Sequence, residues 1–395
     1  MKYASVTDRL AGLGGAKWAL HARARHLKAR GVEIIELTIG EPDVATPDAF
    51  IAEAHRSMLA GRTGYSNGRG EPGLVKALAA RYSARRGRTI TPQQVMCLPG
   101  TQTTLYAVMR AIAEAGDEVL IGDPLYATYE GIIAQSGARM VPVPLRPEHG
   151  FRMQVADVAA RITPASRVLF LNTPHNPTGA LLRREDLVAL GELARQHDLW
   201  ILSDEVYEDM VFAGNTFASP LDLPELADRV IVTCSISKSH AAPGFRSGWC
   251  IGPEEFCARL LPLSETMLFG SQPFIADLTQ MAVSQPSPVA AGMVERFSRR
   301  ATLIAGRLDG VAGLRVHRPE AGMFALVDVR ATGLSGVAFA EGLLDAQRVA
   351  VMPGESFGAG LAGWLRLTLT QPDEVTAEAA RRIAAHAASV MGRAA

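Results

Sequence analysis

Short apolar runs recur along the chain from about residue 72, each bounded by polar residues, proline or glycine. They fall at 95–98, 118–121, 139–143, 168–171, 200–202, 230–233 and 249–251. Between them lie stretches with apolar residues at three- and four-residue spacing, at 74–85, 103–115 and 184–197. The first of these helices opens near Pro72 and stops at Gly87, the usual asymmetry of helix ends. Runs too short for a helix and too apolar for a half-exposed strand predict strands covered on both faces. Alternating with helices, they predict an α/β fold built on a doubly wound, mostly parallel sheet.

After about residue 290 the pattern changes. Helix 293–308, strands 314–316 and 323–328, helix 336–344, strands 349–352 and 365–369, and helix 375–391 make a smaller α+β unit. The expected division is an N-terminal arm with part of the small domain (1–44), a large domain (45–289) and a small C-terminal domain (290–395).

Composition narrows the function classes. Lys+Arg and Asp+Glu both number 40, so no net field attracts nucleic acid or an acidic membrane surface, and neither partner is expected. The cysteines Cys97, Cys234, Cys250 and Cys257 show no metal-ligand spacing, so no metal is expected and free buried thiols are. No apolar stretch reaches membrane-spanning length, the N-terminus lacks a leader-like apolar core, and a cytoplasmic location is expected. Gly68-Arg69-Gly70-Glu71-Pro72-Gly73 matches the dinucleotide pattern GxGxxG in letters. That pattern needs a preceding strand, and here it follows a turn, so no nicotinamide or flavin site is expected.

Polar clusters follow the carboxyl ends of the predicted strands: Gly100-Thr101-Gln102, Asp123 to Tyr126, Asn172 to Gly179, Asp204 to Tyr207, and Ser235 to Lys238. An open parallel sheet binds ligands outside those ends. Any one cluster reads equally well as a solvated loop, and a lone lysine as a surface charge. Together they would face one pocket. Ser235 and Ser237, with Arg246 eight residues beyond Lys238, form a set able to hold a phosphate. A lysine beside that phosphate suits a phosphorylated aldehyde, which it captures as an imine.

S-x-S-K at 235–238 followed by P-G-x-R-x-G-W at 243–249 resembles the signature of class I/II aminotransferases, which are fold type I pyridoxal-phosphate enzymes. The resemblance runs from Gly40-Glu41-Pro42-Asp43 to the 365–367 segment. It implies a pyridoxal 5'-phosphate cofactor held by Lys238, with Asp204 on the ring nitrogen and Tyr207 and Asn176 on the phenolic oxygen. Gly100, Thr101, Gln102, Ser235, Ser237 and Arg246 would hold the phosphate, and Tyr126 would stack on the ring. Arg366 would clamp the substrate carboxylate, with Gly40 and Asn176 beside it. Tyr65 would reach the phosphate of a neighbouring subunit, which implies a homodimer with shared sites. His175 has no role in the resemblance and reads as a loop histidine. The reaction implied is ping-pong transfer of an amino group from an amino acid to a 2-oxo acid such as pyruvate.

The substrate is less legible. Acid-specific members of the resembled family carry a basic residue beside the phosphate loop, where this chain has Gln102, or an arginine from the partner subunit, so aspartate is less favoured. Further stretches, among them 171–177, 197–200, 237–241, Gly322-Met323-Phe324 and 354–358, are similar to bacterial arginine–pyruvate transaminases, with departures at Pro243 and Ala321. Arginine or another basic amino acid is therefore expected. Glu41, Asp8 and Glu130 are the carboxylates available to read it. The alternatives are an aspartate, aromatic or neutral substrate, a β-lyase or oxidase on the same cofactor, and a non-catalytic effector-binding domain.

Overall fold

The computed structural model describes residues 1–394. Its strands, in chain order, are β1 (Ile35–Leu37), β2 (Val95–Leu98), β3 (Glu118–Asp123), β4 (Arg139–Pro144), β5 (Ser166–Asn172) and β6 (Trp200–Asp204). They continue with β7 (Val230–Ser235), β8 (Gly248–Ile251), β9 (Arg315–His317), β10 (Phe324–Asp328), β11 (Val349–Pro353) and β12 (Trp364–Thr368). The larger sheet has the order β2-β8-β7-β6-β5-β3-β4. Only β8 runs against its neighbours; the other pairs are parallel. The α/β class and the mostly parallel sheet are thus as expected.

Strand geometry explains the unbroken apolar runs. Successive side chains point to opposite faces, so a strand covered on both sides must be apolar throughout. Leu169 and Leu171 of β5 join one core cluster, with Leu78 and Leu190 from the helices Pro72–Arg86 and Arg184–Gln196. Val168 and Phe170 join the other, with Val108 and Leu260 from Gly100–Ile112 and Glu254–Leu268. This is a doubly wound sheet. Gly87 ends its helix in the left-handed region, at φ +62°, as its position predicted.

The second sheet has the order β1-β11-β12-β10-β9. β1 comes from the N-terminal segment and pairs parallel to β11, Ile35 opposite Val349; the other pairs are antiparallel. Helices Ala290–Leu308, Gly336–Gln347 and Asp373–Ala394 cover it, with Phe297, Phe339, Leu365 and Ile383 in the core. β1 and the helices Asp48–Leu59, Glu254–Leu268 and Pro273–Val283 were not predicted. β1 is three residues long, too short to show a period, and Glu254–Leu268 carries Pro262 inside. The GxGxxG segment is a turn, Gly70 N–H to Asn67 carbonyl at 2.9 Å, with no strand before it.

Candidate active site

Outside the carboxyl ends of the parallel strands lies a cavity of about 260 Å³. Thr101 and Gln102 enter it from the helix after β2, Tyr126 from beyond β3, and Asn176 from beyond β5. Asp204 ends β6, with Tyr207 three residues on; Ser235 ends β7, and Ser237, Lys238 and Arg246 occupy the loop to β8. Gly40, beyond β1, and Arg366, on β12, close it from the smaller sheet.

One end of the cavity is built for a dianion. The helix Gly100–Ile112 starts there, and its first amides have no partners within the helix. Gly100 sits at φ +80°, and a side chain on it would run into the Arg246 guanidinium. Thr101 Oγ1 is buried without a hydrogen-bond partner, and among the described residues Arg246 forms no ion pair. An orphaned hydroxyl, a guanidinium bonded only to the Pro243 carbonyl at 2.9 Å, Ser235 and Ser237 together fit a phosphate.

At the centre, Asp204 accepts a 2.8 Å bond from the Tyr129 hydroxyl and a 3.1 Å bond from the Val206 amide. Burial nevertheless lifts its carboxyl to about 6, with no cationic group in direct contact among the described residues. A cationic ring nitrogen is the partner this carboxylate lacks. Lys238 Nζ donates to the Gly40 carbonyl at 2.7 Å. Burial lowers its amine to about 8; Glu41 opposes the shift, and Arg366 and Arg246 add to it. Asn176 hydrogen-bonds Tyr207, whose hydroxyl burial pushes well up. These observations fit a phosphorylated, cationic, aldehyde-bearing ring.

Arg366 closes the far side and is 1% exposed. Its guanidinium donates to the Thr38 carbonyl at 2.7 Å and Asn176 Oδ1 at 3.2 Å. The rings of Phe324 and Phe357 flank it at 4.0 and 4.3 Å. Nε is buried without a partner, and burial lowers the group to about 10. A buried fork without a carboxylate partner suits one.

Other expected residues lie as follows. Tyr126 meets Tyr129 edge-on at 5.4 Å, and Gln102 accepts from the Thr128 hydroxyl at 3.1 Å. Tyr65 is 92% exposed, beside Phe269, and does not line its own chain's cavity. His175 is buried on Thr178 at 2.8 Å, and burial lowers it to about 4, so it is neutral and structural. Glu130 is paired with Lys17 at 2.6 Å, and Asp8 and Glu41 are exposed. All four cysteines are buried and free. Among the described residues no cluster could hold a metal, and no helix is long and apolar enough to cross a membrane. Sequence reasoning missed Tyr129, Thr38, Phe324 and Phe357 as neighbours of the key groups; for Tyr129 the available signal was its place three residues beyond Tyr126, at the start of a helix.

Fold and site together define an aminotransferase, and residues 32–383 match the family described as aminotransferase class I and II, to which this chain belongs. Enzymes of this family use pyridoxal phosphate. Among its relatives, an arginine–pyruvate transaminase of Pseudomonas aeruginosa is 46% identical over 394 residues, covering 100% of both chains. An aspartate/prephenate aminotransferase of Cereibacter sphaeroides is 34% identical, over 94% of this chain and 96% of its own. The structure of Thermus thermophilus aspartate aminotransferase with maleate superposes with a TM-score of 0.90 at 30% identity, over 98% of this chain and 100% of that one.

Proposed function

We propose that this aminotransferase moves the α-amino group of arginine, or of another basic amino acid, to a 2-oxo acid such as pyruvate. The end-to-end identity with an arginine–pyruvate transaminase carries this reading. Pyridoxal 5'-phosphate, when bound, supplies an aldehyde that traps amines and a ring that accepts the electron pair left at Cα. Gly100, Thr101, Gln102, Ser235, Ser237 and Arg246 would hold its phosphate, and Tyr126 would stack on its ring. Asp204 would keep the ring nitrogen protonated, while Tyr207 and Asn176 would donate to the phenolic oxygen. Arg366, with Asn176 and Gly40, receives the substrate carboxylate. Lys238 would hold the aldehyde, and its amine is the base that would carry the Cα proton.

A charge-assisted hydrogen bond to a guanidinium adds roughly 1.5–3 kcal/mol, about one to two decades in specificity. Arginine with pyruvate should therefore exceed norleucine by at least about tenfold in kcat/KM, with lysine between them. If aspartate or an aromatic amino acid outruns arginine in parallel half-reaction assays, the basic-substrate reading is wrong. The aspartate/prephenate relatives favour that second outcome.

The working unit is proposed to be a homodimer in which each exposed Tyr65 serves the other subunit's phosphate. Mixing Tyr65→Phe and Lys238→Ala subunits then gives heterodimers with one fully wild-type site and one doubly altered site. Activity should rise above the sum of the parents after subunit exchange. A mixture no more active than its parents, or a fully active monomer in sedimentation, rules the shared site out.

A further inference from the structure

Two carbonyls only two residues apart serve two different cations of the site: Thr38 accepts from Arg366 at 2.7 Å, and Gly40 from Lys238 at 2.7 Å. The segment bearing Gly40 has left the three-residue β1 and belongs to no strand or helix. It is also tightly packed, since a Cβ on Gly40 would overlap the Phe324 ring and stand 2.9 Å from Met323 Sδ. The same Phe324 ring carries the Arg366 guanidinium at 4.0 Å. Such a segment keeps both carbonyls aimed only if its far end is fixed.

Its far end is Asp43, three residues beyond Gly40, and Leu369 stands three residues beyond Arg366. One arginine joins the two. Arg300, on the helix Ala290–Leu308 and 4% exposed, donates through Nη1 to Asp43 Oδ2 at 2.7 Å and to the Leu369 carbonyl at 2.9 Å. Its Nε reaches Asp373 Oδ1 at 2.9 Å, which fixes the guanidinium plane. Arg296, one turn earlier, grips Asp43 with paired bonds of 2.7 and 2.8 Å. Burial raises the Asp43 carboxyl, but these arginine bonds outweigh it and leave the group below its ordinary value. None of the three residues lines the cavity.

We propose that Asp43, held by Arg296 and Arg300, is a positioning residue for amino transfer. It fixes the Gly40 carbonyl relative to Arg366, so that the bound carboxylate and the Lys238 amine keep one spacing. The proposal rests on the reading of Arg366 as the carboxylate receptor. Misplacement of a reacting group by about 1 Å costs up to about a hundredfold, which bounds the effect expected from a loosened anchor.

Asp43→Asn keeps the shape and removes the charge. In the holoenzyme it should raise KM for both the amino acid and the 2-oxo acid and also lower kcat, together cutting kcat/KM by about ten- to a hundredfold. The inhibition constant of valerate, a carboxylate without an amino group, should rise by a similar factor, while cofactor affinity stays unchanged. Arg300→Lys, which cannot reach Asp43, Leu369 and Asp373 together, should move the same constants in the same direction, and decides the matter if Asp43→Asn does not fold. A variant that is less heat-stable but keeps wild-type KM and valerate inhibition overturns the proposal, leaving Asp43 a purely structural anchor. Failure of the site reading is separately visible: wild-type enzyme would then not be inhibited by valerate in competition with the amino acid.

Discussion

Lys238→Ala should lower kcat by at least about a thousandfold, the middle of the range for a positioned general base, because in the proposed function this one side chain would both anchor the aldehyde and carry the Cα proton. Cofactor should still bind, since Arg246, Thr101 and the helix start at Gly100 lie at the phosphate end and do not depend on the lysine. The covalent bond is lost. Borohydride reduction and peptide mapping of the wild-type enzyme should put the pyridoxyl label on Lys238, and a label on another lysine sinks the assignment. The pH dependence carries an independent check. Burial lowers the Lys238 amine to about 8, and only the neutral amine attacks an aldehyde. In apoenzyme, attachment should speed up about tenfold per pH unit below 8 and level off above it, whereas an exposed lysine would still be gaining near pH 10.

The parts of this site that the sequence made legible are those carried by short-range pattern. Apolar runs located β2, β3 and β5 to β8 because both faces of the sheet are covered there, while the edge strand β4 exposes Arg139 and Pro142; the polar residues following the parallel runs had to gather at one edge. Ser235, Ser237, Lys238 and Arg246 lie within one loop, so their spacing alone pointed to a phosphate beside an amine. What stayed hidden is long-range. The pairing of Ile35 with Val349, the stacking of Arg366 between Phe324 and Phe357, and the tie from Asp43 to Leu369 through Arg300 each join distant segments. Nothing local marks such a partner. Tyr129 is a different case: it donates to Asp204 and lies only three residues from Tyr126, but a tyrosine there also fits a simple core position, and its ring is indeed packed on Phe170.

Arg366→Gln should cut kcat/KM about a hundred- to a thousandfold for every amino acid, acidic, basic or neutral, because it removes the proposed receptor for the group all of them share. Truncating one partner of a buried, hydrogen-bonded charge pair costs about 2–5 kcal/mol, which spans that range. The loss should fall mainly on KM, since the carboxylate is held in the ground state as well as the transition state. Arg366→Lys keeps the charge but not the planar fork and should fall between wild type and Gln. Stability separates a receptor from a structural arginine. In the free protein the guanidinium is 1% exposed, has an unpartnered Nε, and forms no ion pair among the described residues. Such a cation is costly to bury, offset in part by Phe324, Phe357 and two hydrogen bonds. A neutral Gln of similar polarity should therefore leave the unfolding temperature of the apoenzyme unchanged or raise it. Greatly reduced stability with near-normal KM would make Arg366 a framework residue and remove it from the substrate site.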